Sequence, residues 1–114
     1  MNEEAEKYII LLLGVNDKPI SSLWHLQKEM FMVSRANPKV NEFFDFEKHY
    51  NGPFSQKLQE LTIEPFYFDD AYRFQTKSGI VLTEIGKKIF ENIIQEYKNN
   101  DKFSDLLKTL KMIR

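Results

Sequence analysis

Between Pro53 and Lys88 the chain carries side chains suited to reading nucleic acid. Ser55, Gln56, Lys57 and Gln59 follow Pro53 at spacings that put them on the outer side of a helix. Its inner side would be Phe54, Leu58 and Leu61, at i, i+4 and i+7. Glutamine pairs bidentately with adenine, and serine reaches a phosphate or a base edge. Lys57, Arg73, Lys77 and Lys87 are the types that hold phosphates. Charge weighs against a general nucleic-acid surface. From Lys57 to Lys88, five basic residues meet five acids, where a committed DNA binder shows a basic stripe. The arrangement in space therefore discriminates. A positive face uniting Lys57, Arg73 and Lys77 points to DNA, and acids mixed among them point to a protein partner.

Other chemistry is weakly represented. Asp69-Asp70 followed by Gln75-x-Lys77 has the residue types of a nuclease, in which carboxylates hold a metal beside a charge-stabilising lysine. The spacing is short and the lysine falls at a hairpin tip, so a solvated loop is the plainer reading. His25 has no second histidine at i+4, and His49 is far from it in sequence, so neither makes a metal motif. Gly79 and Gly86 are separated by six residues rather than four, and Lys88 stands where a phosphate loop needs Ser or Thr. Cysteine is absent, which excludes disulfides, thiol catalysis and thiolate metal sites. The expectation is a protein that is not an enzyme, with no metal and no cofactor.

The elements that must position these residues follow from periodicity. Residues 3–13 read as a helix with Ala5, Tyr8, Ile9, Leu12 and Leu13 on one face, ended by Gly14. Ser21 or Ser22 caps a second helix to about Arg35, with Leu23, Leu26, Met30 and Val33 inward. Residues 37–52 read as a loop with one short helical turn, closed by the turn Asn51-Gly52-Pro53. Pro53 opens a third helix, where its missing N–H costs nothing, and Pro65 closes it. Tyr72 to Gln75 and Ile80 to Leu82 form a hairpin, with Gly79 taking positive φ. Phe66-Tyr67-Phe68 supplies a third short strand or plugs the core. Thr83 caps a fourth helix to about Tyr97, with Ile85, Ile89, Phe90, Ile93, Ile94 and Tyr97 as its inner stripe. A last helix starts near Lys102.

One hundred and fourteen residues make one domain with a core large enough to need no staple. The chain is 42% hydrophobic and 29% charged, with 4 Gly and 4 Pro, which excludes collagen-like and low-complexity classes. Sixteen basic against seventeen acidic residues give −1. The apolar run Tyr8 to Leu13 is far short of the roughly 18 residues that span a bilayer. The acids before it do not suit a signal peptide. No membrane partner and a cytoplasmic location are expected.

Helix, helix, helix, β-hairpin, helix is the order of a winged-helix domain, with the third helix for recognition and the hairpin as wing. Leu82-Thr83-Glu84-Ile85-Gly86 resembles the Leu-Thr-x-x-Gly step that follows the wing in many winged-helix regulators. Leu26-Gln27-Lys28 with Met30-Phe31, then Tyr50 and Gly52-Pro53-Phe54-Ser55 with Leu58 and Leu61, resembles the small YwgA-like archaeal and bacterial proteins. More loosely it is similar to the Panacea-type antitoxin domains. In these a Leu-Gln-Lys helix precedes a Tyr-Gly-Pro-Phe/Tyr-Ser step; here Asn51 stands between Tyr50 and Gly52. The resemblance covers residues 8–97 and implies a DNA-binding-like fold.

The fold expected is thus α+β: a winged helix-turn-helix of three helices, a β-hairpin wing and two C-terminal helices. It forms a single domain over residues 1–114. Residues 100–114 form a C-terminal helix for core cover or dimerisation, its stripe being Phe103, Leu106, Leu107, Leu110 and Ile113. From Lys98 onward basic residues outnumber acids by three. Ten of the sixteen aromatic residues fall between Phe43 and Phe74, which suits core filling better than base stacking. The function expected is a small transcriptional regulator that binds double-stranded DNA as a homodimer. The alternative is a winged-helix module that binds a protein partner, antitoxin-like or an assembly subunit, without DNA.

Overall fold

The computed structural model describes residues 2–114. It is an α+β fold of six helices and two small antiparallel hairpins. The order is α1 (Asn2–Gly14), α2 (Leu23–Ala36), α3 (Pro38–Phe44), β1 (Glu47–His49), β2 (Gly52–Phe54), α4 (Gln56–Ile63), β3 (Tyr72–Gln75), β4 (Gly79–Leu82), α5 (Glu84–Glu96) and α6 (Asp101–Ile113).

Helix α1 runs through the middle and packs on α3, α4, α5, α6 and β4. Ala5, Ile9, Ile10, Leu11, Leu12 and Leu13 are all buried, so the helix is apolar around most of its circumference, as a central helix must be. Leu26, Met30 and Val33 of α2, Val40 and Phe44 of α3, and Leu58 and Leu61 of α4 close the core around it. Ser22 caps α2 by accepting the His25 N–H at 3.1 Å. Glutamates 3 and 4 sit at the positive end of α1.

The β3–β4 hairpin pairs Tyr72 with Leu82 and Gln75 with Gly79, and Gly79 has φ 78°. Only glycine fits there, because a Cβ would strike the Ile20 carbonyl. Ile20 exchanges two backbone hydrogen bonds with Ile80, of 3.0 and 2.8 Å, laying one residue of the α1–α2 connection beside β4. Thr83 caps α5 by accepting the Gly86 N–H at 3.0 Å. Gly86 is required because a Cβ there would strike the Ala71 carbonyl.

The structure corrects four expectations. The third helix of the sequence reading is α4, and it starts at Gln56 behind the cap Ser55, not at Pro53, which lies in β2. Residues 37–52, expected as a loop with one short helical turn, instead hold the seven-residue α3, all of β1 and the start of β2, with β1 pairing to β2 from Glu47–Phe54 to His49–Gly52. The helix count before the β3–β4 hairpin is therefore four. Phe66, Tyr67 and Phe68 form no strand; their three N–H groups donate to the buried Glu6 carboxylate at 2.8–3.1 Å. Ile85 is half exposed and outside the inner stripe of α5.

Helix α6 packs on α1 and α2. Leu110 is fully buried and Phe103, Leu106, Leu107 and Ile113 are partly buried against the same core. Leu110 is thus filled by its own chain and is not free for a second copy while α6 keeps this place. Arg114 fastens the end of α6 by donating to the Leu12 and Lys18 carbonyls, both at 2.9 Å. No helix of the described residues is long and apolar enough to cross a membrane.

Candidate functional site

The exposed face of α4 does not stand free. The β1–β2 hairpin folds beside it, and between them lies a groove of about 800 Å³. The hairpin is held there by its connection to α4. Gln27 of α2 donates its Nε2–H to the Ser55 carbonyl at 2.9 Å, and its Oε1 accepts the Ser55 N–H at 2.8 Å. Ser55 Oγ donates to the Phe44 carbonyl and accepts the Leu58 N–H, so one buried residue joins α2, α3 and α4.

Phe44, Phe54 and Leu61 give the groove its apolar surface. Its charged lining is Asp45, Glu47, Glu60 and Glu64, against Lys57 and the imidazole of His49. Four carboxylates therefore face one lysine. His49 Nε2 lies 3.7 Å from Glu47, and its ring rests 5.0 Å from that of Phe54. Phe66 lines the same groove and is 78% exposed. Ile63 and Tyr67, each 55% exposed, neighbour it in sequence. The buried Glu6 carboxylate accepts the three N–H groups of that aromatic turn, a charge-assisted arrangement stronger than neutral hydrogen bonds.

The predicted DNA-contacting residues fare unevenly. Ser55 has no exposed surface; it is a helix cap and cannot touch a ligand. Gln56 donates to Glu60 at 2.9 Å, and Gln59 is half-buried. Lys57 faces the acids of the groove. Arg73 lies 3.8 Å from Asp70. Lys87 sits between Glu84 at 3.4 Å and Asp17 at 3.8 Å. Lys77, in the β3–β4 turn, is exposed and has no ion pair among the described residues. The structure brings Gln56 and Lys57 together in the groove and leaves Arg73, Lys77 and Lys87 outside it.

Asp70, one of the two acids considered for nuclease chemistry, turns at φ 61°, and its carbonyl accepts the Thr83 hydroxyl. No group of three or more His, Asp or Glu side chains converges as metal ligands would among the described residues. His25 Nδ1 lies 2.8 Å from Ser22 Oγ and 3.0 Å from Ser21 Oγ, a local contact at the start of α2.

Sequence reasoning missed Asp45, Glu47 and the aromatic turn as parts of one surface with α4. Their signal was present: Asn41-x-x-x-Asp45 ends a helix, and Asp45 takes φ 50° as its cap. No protein-family model, curated protein or solved structure matches the chain.

Proposed function

We propose that the chain is a protein-interaction module on a winged-helix framework, of the kind used by antitoxins and assembly subunits. The framework reading is supported by helices α2 and α4 followed by the β3–β4 hairpin, with Ile20 laid against β4. The functional reading is carried by one observation, that the exposed side of α4 opens into a groove with four carboxylates and one lysine. Phosphate binding requires the opposite balance, since affinity comes from clustered cations. The paired states of Arg73 and Lys87 lower the free positive charge further. Lys or Arg side chains complement the rim, and the exposed Phe66 offers an apolar anchor of the type found at the centre of interfaces. The partner fitted is a basic segment carrying a large apolar residue.

Fluorescence anisotropy tests this with a labelled short peptide of arginines flanking a Leu-Phe pair. Saturable binding that weakens with salt and disappears in Glu60→Lys/Glu64→Lys supports the reading. Equal affinity of the wild type and that variant refutes it. Double-stranded DNA is the second reading, and the unpaired Lys77 at the hairpin turn is what favours it.

A further inference from the structure

A second cleft lies elsewhere on the molecule and shares no residue with the acidic groove. It has a volume of about 430 Å³, within the range of small-molecule sites, and is walled by α1, α5, α6 and the α2–α3 junction. Its apolar surface is Leu11, Ile93 and Leu106. Three rings complete the wall: Tyr8, Tyr97 and Phe103, the last two stacked with centroids 5.2 Å apart. Three lysines rim it, Lys7, Lys39 and Lys102, against a single carboxylate, Glu4.

These charges are not equivalent. Lys7 pairs with Glu3 at 3.3 Å and with Glu4 at 3.9 Å. Burial pulls its amine down, but the Glu3 bond and the Glu4 charge outweigh that, so it remains a cation. The pairing uses Glu4, the cleft's single carboxylate. Lys39 and Lys102 are exposed and have no ion pair among the described residues. Two free cations thus stand at the mouth of an aromatic-walled cleft.

We propose that this cleft binds a small aromatic anion, its carboxylate, sulfonate or phosphate held by Lys39 and Lys102 and its ring against Tyr8, Tyr97 and Phe103. The chemistry is that of an amphipathic effector: apolar area supplies affinity and the two lysines fix orientation. This site stands independently of the acidic groove. Its cation excess is the reverse of the groove's, so one ligand cannot satisfy both.

The test uses 8-anilinonaphthalene-1-sulfonate as the anionic probe and uncharged N-phenyl-1-naphthylamine as its control, read by fluorescence on the whole chain. The expected result is saturable one-site binding of the sulfonate, weakened about tenfold in Lys39→Gln/Lys102→Gln. Binding should be unchanged in Phe66→Ser, which removes the exposed ring of the other surface. The neutral probe should bind more weakly than the sulfonate. Both lysines are exposed, so the double variant keeps the fold, and circular dichroism checks that. Absence of saturable binding, equal affinity for the two probes, or indifference to the lysine substitutions overturns the proposal.

Discussion

Gln27 and Ser55 lie 28 residues apart and exchange two buried hydrogen bonds, the side-chain amide of one pairing with the backbone N–H and C=O of the other. The amide acts as a strand neighbour would, satisfying both groups at the point where β2 ends and α4 begins. It also sets where α4 emerges from the core and hence where the groove lies.

Replacing Gln27 by Leu should leave the Ser55 N–H and C=O buried without partners. Each unsatisfied group costs about 1–3 kcal/mol, so a loss of about 2–6 kcal/mol is expected in urea unfolding. Ser55→Ala should cost about 1–3 kcal/mol, through the lost cap and the lost bond to Phe44. A loss below about 0.5 kcal/mol in Gln27→Leu would show that this link does not position α4.

Glu6 presents a second case of a buried polar side chain serving distant backbone. It reaches across 60 residues of sequence to the N–H of Phe66, and also to those of Tyr67 and Phe68. Glu6→Ala should destabilise by about 3 kcal/mol or more, since charge-assisted bonds are lost and three donors are stranded. Amide hydrogen exchange at residues 66–68 should accelerate more than in α1, because the turn depends on this carboxylate while the helix does not. Unchanged protection there would contradict the arrangement.

The parts of the fold that were legible in the sequence are those with a single dominant local signal. Thr83 reads as a helix cap and Gly86 as the glycine of the Leu-Thr-x-x-Gly step, and the structure supplies the hydrogen bond and the Ala71 contact that require them. Gly79 is marked by its type as the left-handed residue of the hairpin, and it has φ 78°. Competing signals were misread. Asn37-Pro38 ends α2 and also starts α3, because a proline that stops one helix is the favoured first residue of the next. Pro53 and Ser55 both mark helix starts, and Ser55 prevails because its hydroxyl and backbone are locked by Phe44, Leu58 and Gln27. Strand β1 is exposed along its length, so it has no alternation to detect. That last omission decided the site. The charge from Lys57 to Lys88 balances to zero in sequence, whereas the fold adds Asp45 and Glu47 to the surface from outside that stretch.

Glu29 gives a pH dependence of definite sign. Burial raises its carboxyl above the usual range, and the attraction of Arg114 and His25 only partly offsets this. Its Oε1 lies 3.2 Å from Arg114 Nε yet makes no hydrogen bond, so the pair is poorly aligned. The folded state therefore holds the Glu29 proton more tightly than the unfolded state does. Between the two pKa values the native chain binds more protons, so this residue's contribution to stability falls as pH rises through that window. Glu29→Gln should remove that component and leave stability at pH 7 unchanged or higher, within about 1 kcal/mol. Urea titrations from pH 4 to 7 measure both effects; a loss above about 2 kcal/mol at pH 7 would mean the ion pair is net stabilising.

The acidic character of the α4 groove is tested most directly by titrating the protein into labelled random duplex DNA and DNA from its own upstream region, at low and high salt. No salt-sensitive binding is expected with either, because four carboxylates face one lysine on that surface. Binding that weakens with salt, and weakens further in Lys57→Ala, would contradict the protein-docking reading and place DNA on this face; loss in Lys77→Ala alone would place it on the β3–β4 turn instead.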